Sequence, residues 1–368
     1  LPTTNFTASV LRTAYGVTQL PTTNQGQGVT VAIVDAGVEP SIVADLATYS
    51  TAMGLPQLDG QSGDGTFTVS YPQGFAAANA GQGSAGNAND GVETALDVEM
   101  VHAMAPKANI LLLETGVDSN GNLNGDNLFG FPGNGNQSGE AAALSTPGVV
   151  AVSNSYGGGE FSGESYYDPN FVAPNGHAPV AVMFSTGDSG APAEYPAYSP
   201  NVLAIGGTSL KIHSSSGRPI ESAWSGGGGG VSTQETGVPS FQSSNGVSYA
   251  NRSAPDVSLV ADTNTSVLVY DSAAGGYLSV GGTSVACPLF AGIVALAQQD
   301  RINASKTPLS SQGVDQVLYQ TYKSSSYTTD FRDVLTGSNG FSAGTGYDLA
   351  TGIGSPVGNS IVSLLASA

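Results

Sequence analysis

Five short apolar runs, each closing on small or polar residues, frame this sequence: Val29 to Val34, Asn109 to Leu113, Val149 to Ser153, Val180 to Ser185 and Val202 to Ile205. Runs this short, apolar at consecutive positions, read as strands covered on both faces, the habit of parallel sheets. Helical patterns lie between several of them, clearest at Gly91 to Ala103 and Glu140 to Leu144, and a long one runs from about Ser284 to Gln299. The alternation predicts a three-layer α/β fold: a central, mostly parallel sheet with helices on both faces and its site at the carboxyl ends of the strands. After Gly206 the texture changes to shorter strands with glycine-rich turns. The stretches Gly54 to Asp90 and Gly116 to Gly139 read as long polar loops.

The chain has 368 residues, more than the roughly 250 to 300 at which one core usually stops growing, yet no boundary is visible. Residues 1–368 therefore read as a single domain. No apolar run reaches the roughly 20 residues that span a bilayer. A start at Leu1 without a signal peptide reads as a processed mature form lacking its pro-segment. Charge is unusual: 28 Asp plus Glu stand against 9 Lys plus Arg, a formal −19, while charged residues total only 10% where about 25% is ordinary. Nothing here can neutralise a row of phosphates, which argues against nucleic acid as a partner. The acidity fits either a secreted, soluble surface or adaptation to acid, where carboxylates lose charge and few bases avoid cationic self-repulsion. Cys287, the single cysteine, forms no internal disulfide and reads as a buried filler.

The candidate chemistry begins at "GGTSVACP", Gly281 to Pro288, where Ser284 opens a buried helix whose N–H groups favour developing negative charge. None of the three histidines looks placed to take its proton. His102 is five residues past Asp97, about 140° around the helix, and His177 and His213 lie in turn-rich segments. Below about pH 5 all three are expected to be protonated. In "GVETALDVEM", Glu93 and Asp97 are four residues apart and share a helical face, with Asn89 and Asp90 as candidate caps for a start near Gly91. Such a pair is either a solvated acidic face or, if buried, a couple that shares a proton and supplies a general base suited to acid. In "STGDSG", Asp188 follows a strand and is either a turn former or a carboxylic acid that donates to an oxyanion. One oxyanion donor is worth about 3 to 4 kcal/mol. Protonating an aspartate of pKa about 4 costs about 4 kcal/mol at pH 7, so the gain survives only in acid.

Taken together these residues resemble the sedolisin family of serine-carboxyl peptidases, relatives of the subtilisins, over almost the whole chain. "LRTAYGV", "VAIVDAG", the Glu93/Asp97 helix, "GDSG", "YPAYSPNVLAIGGT" and "GGTSVACP" occur in the family's order. The resemblance implies a subtilisin-like fold with Ser284 as nucleophile, Glu93 as general base and acid, Asp97 as its orienting partner and Asp188 as oxyanion donor. Some relatives carry Glu and Trp where this chain has Asp35 and Tyr156, extending the hydrogen-bond chain behind the Asp. Ser153, Ser155, Tyr156 and Gly157 match the segment that pairs with substrate backbone. "FRDVLTGSNGFSAGTGYDLATGIGSP" fits the family's calcium loop, about residues 331–350, with carboxylates of Asp333 and Asp348 and carbonyls of Val334, Gly344 and Gly346 around one Ca2+. The implied protein is a secreted, monomeric acid endopeptidase acting on proteins or peptides. Its competitors are a tripeptidyl-peptidase of the same family and an inactive extracellular binding protein on the same scaffold.

Overall fold

A computed structural model describes residues 5–79, 88–118, 120–131, 137–213 and 217–368. Its sheet strands are β1 (Thr30–Ala36), β2 (Phe67–Ser70), β3 (Asn109–Thr115), β4 (Val149–Asn154), β5 (Ala181–Ser185), β6 (Leu203–Ile212) and β7 (Pro219–Ala223). A separate antiparallel pair, β8 (Gly230–Thr236) with β9 (Asn251–Ala254), leads to β10 (Val257–Val260). The sheet runs β10-β6-β5-β4-β1-β3-β2, parallel throughout, with β7 antiparallel on β6. The five expected strands are the centre of this sheet. Strand β2 lies within a stretch expected to be loop; four residues that pair only with β3 at the sheet edge carry too little pattern to stand out.

Alternating side chains divide the core. Val31, Ile33, Ile110 and Leu112 enter one layer, and Ala32, Val34, Leu113 and Val152 the other. The first layer is covered by the two helices on which the site is built, an acid helix (Ala88–Met104) and a central helix (Thr283–Asn303), packed against each other. The second is covered by the Gly139–Ser145 helix and by aromatic residues such as Phe171 and Tyr195. The acid helix starts at Ala88, three residues ahead of expectation, so Asn89 and Asp90 belong to its first turn; their side chains lie outside the described set. Among the described residues no helix is long and apolar enough to cross a membrane.

From Val285 to Ala297 the central helix is apolar all round because it is enclosed all round. Pro288 lies inside it and has no N–H for the Ser284 carbonyl four residues back. An interior proline costs about 3 kcal/mol, and burial of Leu289, Phe290, Ile293 and Val294 at about 1.5 to 3 kcal/mol each outweighs it.

Within β9, Arg252 is fully buried and forks onto Asp256, with Nη1 2.7 Å from Oδ1 and Nη2 2.6 Å from Oδ2. Asp256 also accepts from the Tyr319 hydroxyl at 2.7 Å and the Ala204 N–H at 2.7 Å, tying β6 to the Ser311–Tyr322 helix. Removing one partner of a buried pair strands the other charge, at a cost of about 3 to 5 kcal/mol. Asp256→Ala is therefore expected to lower the unfolding free energy by about that amount, read as a drop in denaturation midpoint at constant slope.

Candidate active site

The carboxyl ends of the parallel strands carry the polar groups. Asp35 ends β1, Glu114 ends β3, Ser155 follows β4, and Asp188 follows β5. The acid helix lays Asp97, which is fully buried, beneath this edge. Ser155 Oγ donates to Asp97 Oδ1 at 2.9 Å, and Oδ2 is enclosed without a hydrogen bond. Burial first, then the charges of Asp35 and Glu93, holds the Asp97 carboxyl well above the usual carboxylate range, while the Ser155 bond works in the opposite direction. Glu93 is half-buried one turn earlier on the same face. Of the two residues, Asp97 is enclosed and Glu93 is half-buried, so this face is not an open, solvated one.

Ser284 is half-buried in the first turn of the central helix. Cys287, three residues on and so on the same face, donates from Sγ to the Asn154 carbonyl and accepts from Ser153 Oγ, both at 3.5 Å. Its thiol is buried as expected and pushed up to about 12, by burial foremost, with the charges of Asp97 and Glu93 adding to the shift. The acid pair thus acts on the face of the central helix that carries Ser284.

Asp188 supplies the helix start. Its Oδ1 accepts from Thr283 N at 2.7 Å and Thr283 Oγ1 at 2.8 Å, and Thr283 Oγ1 accepts in turn from Gly187 N at 3.1 Å. Oδ2 lies against Gly282, whose φ of +138° favours glycine and where a Cβ would fall 2.6 Å from that oxygen. Desolvation raises the Asp188 pKa, and both Thr283 bonds oppose the rise. Sequence reading missed Glu194. Its carboxyl lies between Gly157 and Gly187, so that a Cβ on either glycine would come within 2.9 Å of a carboxyl oxygen, and no motif marks it. Burial, then the charge of Asp188, raises its pKa.

The substrate segment needs one correction. Ser153 is fully buried inside β4, paired with Ile33 on one side and Met183 on the other, so neither its side chain nor its backbone edge is open. The accessible stretch starts at Ser155. Beyond it, Gly158 exchanges hydrogen bonds with Tyr195 at 2.9 and 2.8 Å. Tyr156 packs edge-on against Phe184 with centroids 5.3 Å apart, and its buried hydroxyl has no hydrogen bond, so Asp35 acts on Asp97 without a link through that hydroxyl. A cavity of about 210 Å³ opens beside Tyr156 and Gly157, walled by Leu128, Phe129, Phe161 and Tyr195.

The histidines stand apart from the site. His177 and His213 are exposed, whereas His102 is fully buried with Nε2 3.0 Å from the Pro56 carbonyl. Burial lowers its pKa to about 4, so it stays neutral at pH 5, where all three were expected to be charged, and takes a proton only below about pH 4.

The C-terminal loop brings its expected residues together in two sets. Asp333 accepts from Gly346 N at 3.1 Å, and Asp348 accepts from Gly344 N at 2.9 Å and Thr351 N at 2.8 Å. Val334 is buried. No hydrogen bond among the described residues reaches the carbonyls of Val334, Gly344 or Gly346. Two oriented carboxylates and three uncommitted carbonyls are a donor set that fits a hard cation.

Comparison with known proteins follows the same outline. The subtilase family model matches residues 26–347. Kumamolisin from Bacillus sp. (strain MN-32) is 31% identical over 388 residues, covering 92% of this chain and 60% of that protein. Tripeptidyl-peptidase sed1 from Aspergillus fumigatus is 26% identical over 378 residues, covering 79% of this chain and 56% of that protein. The chain thus spans less than two thirds of these curated relatives. Among solved structures, Pseudomonas sedolisin complexed with two molecules of pseudo-iodotyrostatin superimposes with a TM-score of 0.77 at 23% identity, covering 99% of this chain and 98% of that one, and so shares its fold.

The enclosed carboxyls determine how stability depends on pH. Asp97 and Glu99 are held well above the usual range, Glu114 is raised to about 7 and Glu140 to about 8, all chiefly by burial. These groups keep protons that the unfolded chain releases near pH 4, so their contribution is complete in acid and is lost as pH rises from about 4 toward 8. His102 acts oppositely between about 6.5 and 4, one group against several. The melting temperature is expected to be highest in mild acid and to fall toward pH 8; calorimetry showing a rise instead would contradict the assignment.

Proposed function

The chain belongs to the subtilase family, in its sedolisin group, and from that premise we propose that it is a secreted, acid-active serine-carboxyl endopeptidase in which residues 1–368 act as one peptidase domain. The observation that carries this reading is the enclosure of Asp97, with Glu93 beside it, against the face of the helix that bears Ser284. Burial first, and then the charges of Asp35 and Glu93, make the surroundings of Asp97 favour a proton in acid.

Ser284 Oγ attacks the peptide carbonyl carbon as Glu93 takes its proton, with Asp97 fixing the Glu93 carboxyl. The oxyanion receives a hydrogen bond from protonated Asp188, whose Oδ1 is anchored by Thr283 so that Oδ2 carries the proton. Glu93 returns its proton to the leaving amine as the C–N bond breaks. Water, deprotonated by Glu93, then opens the acyl-enzyme and frees Ser284. Ser155, Tyr156 and Gly157 offer the backbone along which an extended peptide lies. The aromatic cavity beside them suits an apolar side chain.

We assign one Ca2+ to the C-terminal loop, held by the carboxylates of Asp333 and Asp348 and the carbonyls of Val334, Gly344 and Gly346. The ion cross-links a segment that no disulfide fastens. At a hundredfold excess over its dissociation constant such an ion contributes about 2.7 kcal/mol.

Ser284→Ala is expected to fold normally and to lose activity by about 10⁴-fold or more, with Glu93→Gln close behind. Hydrolysis of denatured protein should peak near pH 4 and decline as Asp188 ionises. An optimum near pH 7 would remove both the carboxylate base and the Asp188 donor, and release of tripeptides alone would make the enzyme an exopeptidase. For the loop, a chelator is expected to lower the melting temperature of the unmodified protein, and Asp333→Asn to reproduce most of that shift.

A further inference from the structure

A second group of carboxylates lies against the acid helix beside Gly91, on the side that carries Glu99. Glu39 follows β1, Asp45 belongs to the Ile42–Met53 helix, and Asp271 ends the strand Val267–Asp271. All three are buried, with 7%, 2% and 1% of their surface exposed, and one oxygen from each lies within 4.8 Å of the others. Oxygens about 2.4 Å from a shared calcium ion are at most about 4.8 Å apart, so this spacing is that of ligands around one ion.

Hydrogen bonds orient each carboxylate through one oxygen only. Glu39 Oε1 accepts from Ser41 N at 2.9 Å and Ser41 Oγ at 2.6 Å. Asp45 Oδ2 accepts from Ser272 N at 3.0 Å and Ser272 Oγ at 3.1 Å, and shares the single Ser41 hydroxyl proton with Glu39. Asp271 Oδ1 accepts from Ala273 N at 2.7 Å and Ala274 N at 3.1 Å. Asp271 Oδ2 is fully enclosed and has no hydrogen bond. It faces the Glu39 carboxylate across Gly91: a Cβ there would sit 2.1 Å from Glu39 Oε2 and 3.5 Å from Asp271 Oδ2. A glycine within a helix costs about 1 kcal/mol relative to alanine, and here it leaves the space that the carboxylates occupy. Glu99, fully buried and subject to the charges of Asp45 and Asp271, also has an oxygen, Oε1, without a partner. The three ion pairs among the described residues lie elsewhere, at Lys107–Asp64, Arg252–Asp256 and Arg332–Glu221.

We propose that Glu39, Asp45 and Asp271 form a second binding site for a hard divalent cation, calcium in preference to magnesium, that joins the chain after β1 and the end of the Val267–Asp271 strand to the Ile42–Met53 helix. Oxygen-only donors select a hard ion. Contributions from a loop, a helix and a strand end suit the irregular shell of calcium better than the strict octahedron of magnesium. The site stands independently of the peptidase assignment.

Metal content of calcium-loaded, desalted protein near neutral pH tests it. Two equivalents are expected in the unmodified chain, one in Asp271→Asn, one in Asp333→Asn and none in the double variant. If the C-terminal loop holds no ion, the unmodified chain retains a single equivalent that Asp271→Asn removes and Asp333→Asn leaves, which still supports the second site. Equal calcium in the unmodified chain and Asp271→Asn overturns it. Should Asp271→Asn fail to fold, calcium-soaked crystals of the unmodified protein decide: an anomalous peak between the three carboxylates supports the site, and its absence shows that they share protons instead.

Discussion

Enclosure of carboxyl groups without cations to match them is the constraint on which this structure depends. With 28 acids and 9 lysines and arginines, the chain cannot pair every carboxyl it buries. Arg252 is the cation enclosed completely among the described residues, and it serves Asp256. Elsewhere burial itself decides the protonation state. Glu140, fully enclosed with both oxygens lacking hydrogen bonds, is pushed up to about 8, and Asp315, beside Asp256, is also held high. In acid such groups are neutral and cost far less to bury than a charge; as pH rises the unfolded chain ionises them freely and gains on the folded state.

The candidate site shares this condition. Desolvation, and then the charges of Asp35 and Glu93, raise the proton affinity of Asp97, and Ser155 fixes its orientation. In the proposed mechanism Asp188 combines two tasks in one carboxyl: Oδ1 receives the first N–H of the central helix, and Oδ2 would carry the proton. The residue that fixes where Ser284 stands is therefore the one proposed to stabilise the charge that Ser284 creates. Gly282 permits the arrangement, because any side chain there would displace Oδ2. Glu194, packed between Gly157 and Gly187, adds a further acidic group beside Asp188 whose proton affinity is raised by burial and then by the Asp188 charge.

The parallel sheet explains why these groups meet. Strands β1, β3, β4 and β5 all point the same way, so Asp35, Glu114, Ser155 and Asp188 emerge along one edge although 153 positions separate the first from the last. The acid and central helices cover that edge from one side. The opposite layer supplies the aromatic wall beside Tyr156, so a single sheet edge presents acid chemistry and an apolar recess together.

The strand runs, the long apolar helix and the four-residue spacing of Glu93 and Asp97 were legible in the sequence because they are local: a period, a cap or a run is written in neighbouring residues. The identity of Ser284 as candidate nucleophile was legible for the same reason, through the small residues around it. Whether the acid pair faced water or protein was not, since helical spacing places two side chains on one face without saying what that face meets. Tertiary packing decided that Asp97 is enclosed, that Ser153 is sealed between two strands, and that His102 stays neutral below its ordinary range. It also gathered Glu39, Asp45 and Asp271 from segments more than 200 residues apart. Burial and charge proximity depend on distance in space, and a chain specifies these only once it has folded.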